Sequence, residues 1–339
     1  MMNGVDTQWA EFIQRFRIPL IAAPMTAVSG IDVVAAAAGA GVGASFPVHN
    51  ASSSDEVDRW LGMLGEQGGP VIPNVVVHRT NTRLSEDLAV LTRRCVPAVI
   101  TSVGSPQQVI GPLHDAGVLV LSDVASLRHA ERAVAAGADA LVLLTAGAGG
   151  QTGWANPLAF IRAVRRMWDG PMVLAGGICD GASLLTAVVA GCDLGYMGTA
   201  FIATHESAAP RQWKNAVVAA SIDDIELTSG LTGLPTSVVR TRVPKTVSRD
   251  DITPTGQVVD GFEMARLSTG TRPDRGPAQS ETFSAGHSAI GVDRVVSVAD
   301  LVARVEYEYR DAIKHLAIKS GALASEIARG AENPSSSRS

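Results

Sequence analysis

The chain has 339 residues, of which 46% are hydrophobic, 18% charged and 4% aromatic, with a formal net charge of −5. That composition supports a large core of aliphatic side chains and alanine, and one α/β barrel of about 250 residues accounts for most of the length. No Lys/Arg run or basic-aromatic stripe is present, which excludes a nucleic-acid footprint. Cys95, Cys179 and Cys192 are too few and too scattered for a disulfide framework or a CxxC metal site, so a reducing, cytoplasmic setting is expected and no metal. Between Ile18 and His49 the charge is confined to Asp32, yet Pro19, Pro24, Gly30, Gly39, Gly41 and Gly43 interrupt the apolar run. A buried β-α-β unit is expected there, with no membrane contact.

In chain order, short apolar runs alternate with alanine-rich helical stretches. Strands are expected at 20–23, 42–44, 71–77, 98–102, 118–122, 140–144, 172–175 and 194–197. Each run is continuously apolar, as suits parallel strands covered on both faces. Helices are expected at 31–40, 55–66, 85–93, 106–116, 127–136, 157–168 and 181–190. Asn156-Pro157 reads as an N-cap followed by proline at the first helical position, and Ser126 as a second cap. Gly117, Gly137 and Gly191 fall where a helix ends before the next strand.

Eight βα units without reversal favour a (β/α)8 TIM barrel with an appended, mostly helical C-terminal region. The expected organisation is a barrel over 1–203, an appended region over 204–323 covering the active face, and a tail over 324–339 that is disordered at its end. Within the appended region, 207–221 and 298–323 read as helices, whereas 222–297 is polar, rich in Gly, Thr and Pro, and weakly periodic.

Barrel function sits at the C-terminal strand ends. After the seventh strand comes Gly176-Gly177, and after the eighth Gly198-Thr199. Glycine admits a ligand close to the backbone, and free amides at a helix start favour an anion. Paired turns after strands 7 and 8 are the usual phosphate site of this architecture, although each alone would also serve a tight βα turn. The loop after strand 6 carries Gly147, Gly149, Gly150 and Gly153, and can lie flat against a planar ligand. Gln151 is its polar side chain with reach, and an amide exchanges no proton near pH 7. Met25 after strand 1 suits either a flat ring or the core. Asn74, inside an apolar strand, needs a ligand or a neighbouring backbone as partner.

The strings PLIAAPM, PNVVV, AGAGGQTG, VLAGGICDG and YMGTAFIATHES resemble the nitronate monooxygenase (2-nitropropane dioxygenase-like) family, related to flavin-type enoyl thioester reductases. The resemblance covers residues 19–207. It implies FMN as cofactor, with Ala23, Pro24, Met25 and Asn74 near the flavin ring, Gly149 and Gly150 bordering it, and Gly176, Gly177, Met197, Gly198 and Thr199 around its phosphate. It implies an FMN-dependent oxidoreductase that oxidises a nitronate-like or other activated C–H acid. NADH or NADPH is the expected reductant if the reaction is instead reduction of an enoyl thioester or enone. A flavin-binding partner protein without catalysis is a third reading, and a homodimer is left open.

The chain departs from the family at three places. Gln151 stands where members usually carry the histidine of GGH, Ala200 follows MGT where many have arginine, and Asp123 follows strand 5 where some relatives place a basic residue. His49 after strand 2 and His78 after strand 3 are the candidate replacements for the missing acid/base. No lysine occurs between Met1 and Gln212, which argues against a Schiff-base barrel.

Overall fold

A computed structural model describes residues 4–65, 68–229, 233–240 and 283–332. The chain begins with α1 (Gly4–Ile13) and then alternates β1 (Leu20–Ala22), α2 (Ile31–Gly39), β2 (Gly43–Pro47), α3 (Ser54–Leu64), β3 (Val71–Val76), α4 (Leu84–Arg93), β4 (Ala98–Ser102) and α5 (Gln107–Asp115). It continues through β5 (Leu119–Val124), α6 (Leu127–Ala136), β6 (Ala140–Leu144), the short β7 (Gly150–Gln151), α7 (Pro157–Arg165), β8 (Met172–Ala175), α8 (Gly181–Val189) and β9 (Leu194–Met197).

Eight of these strands close into a parallel barrel in the order β1-β2-β3-β4-β5-β6-β8-β9, sealed where β9 pairs with β1. The expected barrel is therefore present, and its helices start as local chemistry dictates. Ser126 accepts from the His129 amide at 3.2 Å, and Asn156 accepts from the Ala159 amide ahead of Pro157. Gly117, Gly137 and Gly191 all take positive φ, where a side chain would be strained.

Strand alternation sorts the barrel into two cores. Ile21, Ile72, Ile100, Leu121, Val142, Val173 and Leu194 point inward as one cluster, while their neighbours in sequence pack outward beneath the helices. The N-terminal end is closed by α1, which lies outside the expected elements. Its Trp9 and Phe12 join the inner cluster, and Gln8 donates to the Gly117 carbonyl at 2.6 Å. That leaves the other end for function.

Beyond β9 come the one-turn α9 (Thr199–Ile202), α10 (Arg211–Ala219), β10 (Ile225–Thr228), β11 (Thr236–Val239), β12 (Phe283–Ser284) and α11 (Val298–Glu332). The order β10-β11-β12 is an antiparallel sheet, and β7 from the barrel joins it by pairing with β11. The polar stretch 222–297 thus holds strands that its weak periodicity hid, though 241–282 lies outside the described residues, as does the expected disordered end of the tail at 333–339.

Helix α11 packs on the barrel flank, against α8 and α2. Glu308 accepts from the Gly181 amide at 3.0 Å, and a Cβ on Gly181 would overlap the Tyr309 backbone nitrogen. The helix reached from the end of the chain therefore fills the eighth position of the outer ring.

Candidate functional site

A cleft opens at the C-terminal strand ends, with an empty volume of about 1360 Å³ counting its open mouth. Its floor is the last inward layer of the barrel: Ala23, Asn74, Ser102, Asp123, Leu144, Ala175 and Tyr196. These residues continue the two-residue alternation that places Ile21, Ile72, Ile100 and Leu121 inside. Trp213, Thr236, Ser284, Ala285 and Ser288 line the cleft from beyond the barrel. Trp213 stands on an expected helix, whereas the others fall in a stretch where sequence periodicity carried no signal.

The glycine turns come together on one wall. Gly176 has φ +121° and Gly177 φ +78°. A Cβ on Gly176 would strike Thr145 Oγ1, so that glycine is required by the fold. A Cβ on Gly177 would meet nothing within 4 Å and would project into open space. Gly198 lies close to Met25, with 3.4 Å from its would-be Cβ to the sulfur. Thr199 is buried, and its hydroxyl oxygen accepts from the Gly286 amide at 3.0 Å. The hydroxyl proton is thereby left for another acceptor.

Other residues singled out in the sequence also line the cleft: Pro24, Met25, His49, Gly149, Gly150 and Gln151. Met197 does not; it is fully buried, and its carbonyl accepts from the Ala23 amide at 2.9 Å where the barrel closes. His78 is likewise absent from the lining and sits 2.9 Å from the Thr80 hydroxyl. Asn74 finds its partners in the adjacent strand, donating to the Ile100 carbonyl at 3.3 Å and to Ser102 Oγ at 3.2 Å. Gln151 is held through its backbone, in register with Thr236.

Three lining groups can titrate. His49 Nε2 lies 3.0 Å from Thr26 Oγ1. Burial, aided by the Arg83 charge, lowers its pKa to about 4, so the ring is neutral at pH 7. Asp123 has one carboxyl oxygen, Oδ1, shielded and without a hydrogen-bond partner. Burial raises its pKa to about 7. The Tyr196 hydroxyl is also buried and unpartnered, and burial together with the nearby Asp123 charge pushes its pKa well above the usual phenol value. Tyr196 was missed in the sequence because it reads as one more apolar strand residue in LGYM. No lysine, arginine or metal-binding cluster is found on this cleft among the described residues.

A closed parallel barrel with a cleft at its C-terminal strand ends is the architecture of α/β-barrel enzymes. The nitronate monooxygenase family model matches residues 48–308, and the chain belongs to that family of flavin-dependent oxidoreductases. The chain is 31% identical over 151 residues to a (3aS,4S,5R,7aS)-5-hydroxy-7a-methyl-1-oxo-octahydro-1H-indene-4-carboxyl-CoA dehydrogenase of Rhodococcus jostii, covering 44% of this chain and 43% of that one. It is 26% identical over 232 residues to the nitronate monooxygenase of Paraburkholderia phytofirmans, covering 65% and 63%. These matches thus span less than two thirds of the relatives' own lengths. A solved nitroalkane oxidase of Streptomyces ansochromogenes superposes with a TM-score of 0.75 at 25% identity, over 91% of this chain and 99% of that one.

Proposed function

We propose that the protein is an FMN-dependent oxidoreductase that oxidises a small carbon acid or its anion, in the manner of a nitronate monooxygenase. The observation that carries this reading is the wall made by Gly176, Gly177, Gly198 and Thr199, where one glycine leaves open space and a buried hydroxyl keeps a proton to donate. Free backbone amides and a hydroxyl suit a phosphate, and the flat glycine loop at Gly149 and Gly150 with Met25 opposite suits a planar ring. When bound, FMN supplies the electron acceptor. The chain's own residues hold the substrate and exclude water, with Trp213, Ala285 and Ser288 over the barrel mouth.

The reading of 204–323 as an appended unit roofing the active face draws support from those residues. Val298–Glu332 serves the barrel flank instead. The free cysteines suit a cytoplasmic enzyme, and among the described residues no helix is long and apolar enough to cross a membrane.

A second reading, oxidation or reduction at a carbon next to a thioester with NADH or NADPH as electron partner, is favoured by the match to a carboxyl-CoA dehydrogenase. Purified protein should be yellow and release FMN on denaturation. Anaerobic mixing with ethyl nitronate should bleach it, whereas bleaching by NADPH alone would favour the second reading. Protein that takes up no FMN would overturn both.

A further inference from the structure

We propose that Asp123 is the proton-exchanging residue of this cleft, removing a hydrogen from the α-carbon of a bound carbon acid while the Tyr196 hydroxyl donates to the substrate's carbonyl or nitro oxygen. The proposal rests on the oxidoreductase reading and names the acid/base that Gln151 cannot be.

The placement follows from the barrel. Asp123 on β5 and Tyr196 on β9 belong to the same inward layer at the cleft floor. Both present a buried polar atom with no hydrogen-bond partner, and they do not bond each other. Leaving such atoms buried and unsatisfied is costly, and the cleft gives a bound ligand access to both residues. Among the described residues, nothing hydrogen-bonds either atom.

Elimination gives the same answer. Among the lining residues, the titratable groups are His49, Asp123 and Tyr196. His49 is held neutral by burial and by Arg83, which leaves it a weak base. Tyr196 is held as the phenol and can only donate near neutral pH. Asp123 titrates at about 7, where a general acid/base is most effective. The floor residues of the strands flanking β5, Ser102 and Leu144, carry no charge. Asp139 and His114 form their pair at the opposite end, where Asp139 also accepts from the Val120 amide.

The step balances within the cleft. The substrate C–H bond breaks, and its electron pair stays on carbon and delocalises into the adjacent carbonyl or nitro group. The proton forms an O–H bond on Asp123, and the Tyr196 hydrogen bond stabilises the charge gathering on oxygen.

Nitroethane and ethyl nitronate separate this proton removal from the oxidation of the resulting anion, because only nitroethane must lose a proton. Asp123→Asn should slow nitroethane oxidation by about a hundredfold or more while nitronate oxidation stays within about threefold. Asp123→Glu should restore part of the nitroethane rate. Equal loss on both probes, or no loss on either, would overturn the proposal. Infrared titration of the flavin-free protein gives a readout without turnover. A protonated-carboxyl band should disappear as pH rises through about 7 and be missing in Asp123→Asn; the same band in both proteins would also overturn it. If the wild type oxidises neither probe, the oxidation reading fails, and the assignment of Asp123 then stands or falls on the infrared titration.

Discussion

Gln151 sits directly opposite Thr236 in an antiparallel pair, so the position facing the cleft from the strand-6 loop is fastened to a strand from beyond the barrel. The next residue extends the link, with the Thr152 amide donating to the Pro235 carbonyl at 3.1 Å. A loop that reads as free in the sequence is thus a clamped edge.

Because that clamp is backbone pairing, replacing the Gln151 side chain should leave the fold intact. Gln151→Ala should lower kcat/KM about tenfold, mostly through KM, and leave the pH profile unchanged, as befits a lost hydrogen bond. Gln151→His should add an ionisation near ~6.5 to the profile for nitroethane. Steady-state kinetics across pH on both variants test this, and a pH profile altered by the alanine would mean that Gln151 controls the proton.

The two adjacent glycines should respond differently to alanine. Gly176→Ala forces a Cβ into Thr145 and should destabilise the flavin-free protein by about 2–3 kcal/mol. Gly177→Ala meets no atom, so its cost is the positive φ alone, about 1 kcal/mol. It should nevertheless weaken FMN binding about tenfold or more by filling the space proposed for phosphate. Urea melts paired with flavin titrations separate the two effects.

Two buried groups should pull stability in opposite directions over the same pH window. Burial holds Asp123 at about 7 against an ordinary 3.8, so the folded chain retains a proton that the unfolded chain releases. That penalty is absent at low pH and grows as pH rises toward about 7, reaching on the order of 4 kcal/mol at ~1.4 kcal/mol per pH unit. His49 acts in the opposite sense. Its pKa is lowered from 6.5 to about 4, so its contribution is present above 6.5 and lost as pH falls toward 4. Because the two shifts largely cancel between about pH 4 and 6.5, urea midpoints measured from about pH 5 to 8 should change little in the wild type and rise with pH up to about 6.5 in Asp123→Asn. An unchanged slope would assign the effect to another group.

Gly181 should tolerate no side chain. Its Cα faces the Tyr309 backbone, so Gly181→Ala should push α11 off α8 and cost about 3 kcal/mol or more. A thermal melt would show it, and a loss under about 1 kcal/mol would mean that the helices separate easily.

The barrel was legible because parallel strands covered on both faces are short, wholly apolar and spaced by helices with recognisable caps, as at Ser126 and Asn156. The glycine turns proposed to hold a phosphate stood out through their place after strands 7 and 8. Asp123 was visible as a carboxylate at a strand end, but its burial was not, since that depends on which strand face turns inward and on Tyr196 across the barrel. The sheet of β10, β11 and β12 was hidden for a related reason. Strands such as Ile225–Thr228, with polar residues on a half-exposed face, carry little hydrophobic period. Helix α11 was legible as a helix, yet its seat between α8 and α2 depends on long-range packing around Gly181.

That seat bears on how the molecule is made. The last strand of the barrel ends at Met197 and the helix that covers its flank begins at Val298. A nascent chain can therefore emerge with all its barrel strands while the apolar sides of α2 and α8 still face water. Synthesis at about 5–20 residues per second leaves that interval exposed for several seconds. Packing of α11 on α2 and α8 joins elements far apart in the sequence, a high-contact-order event that slows folding.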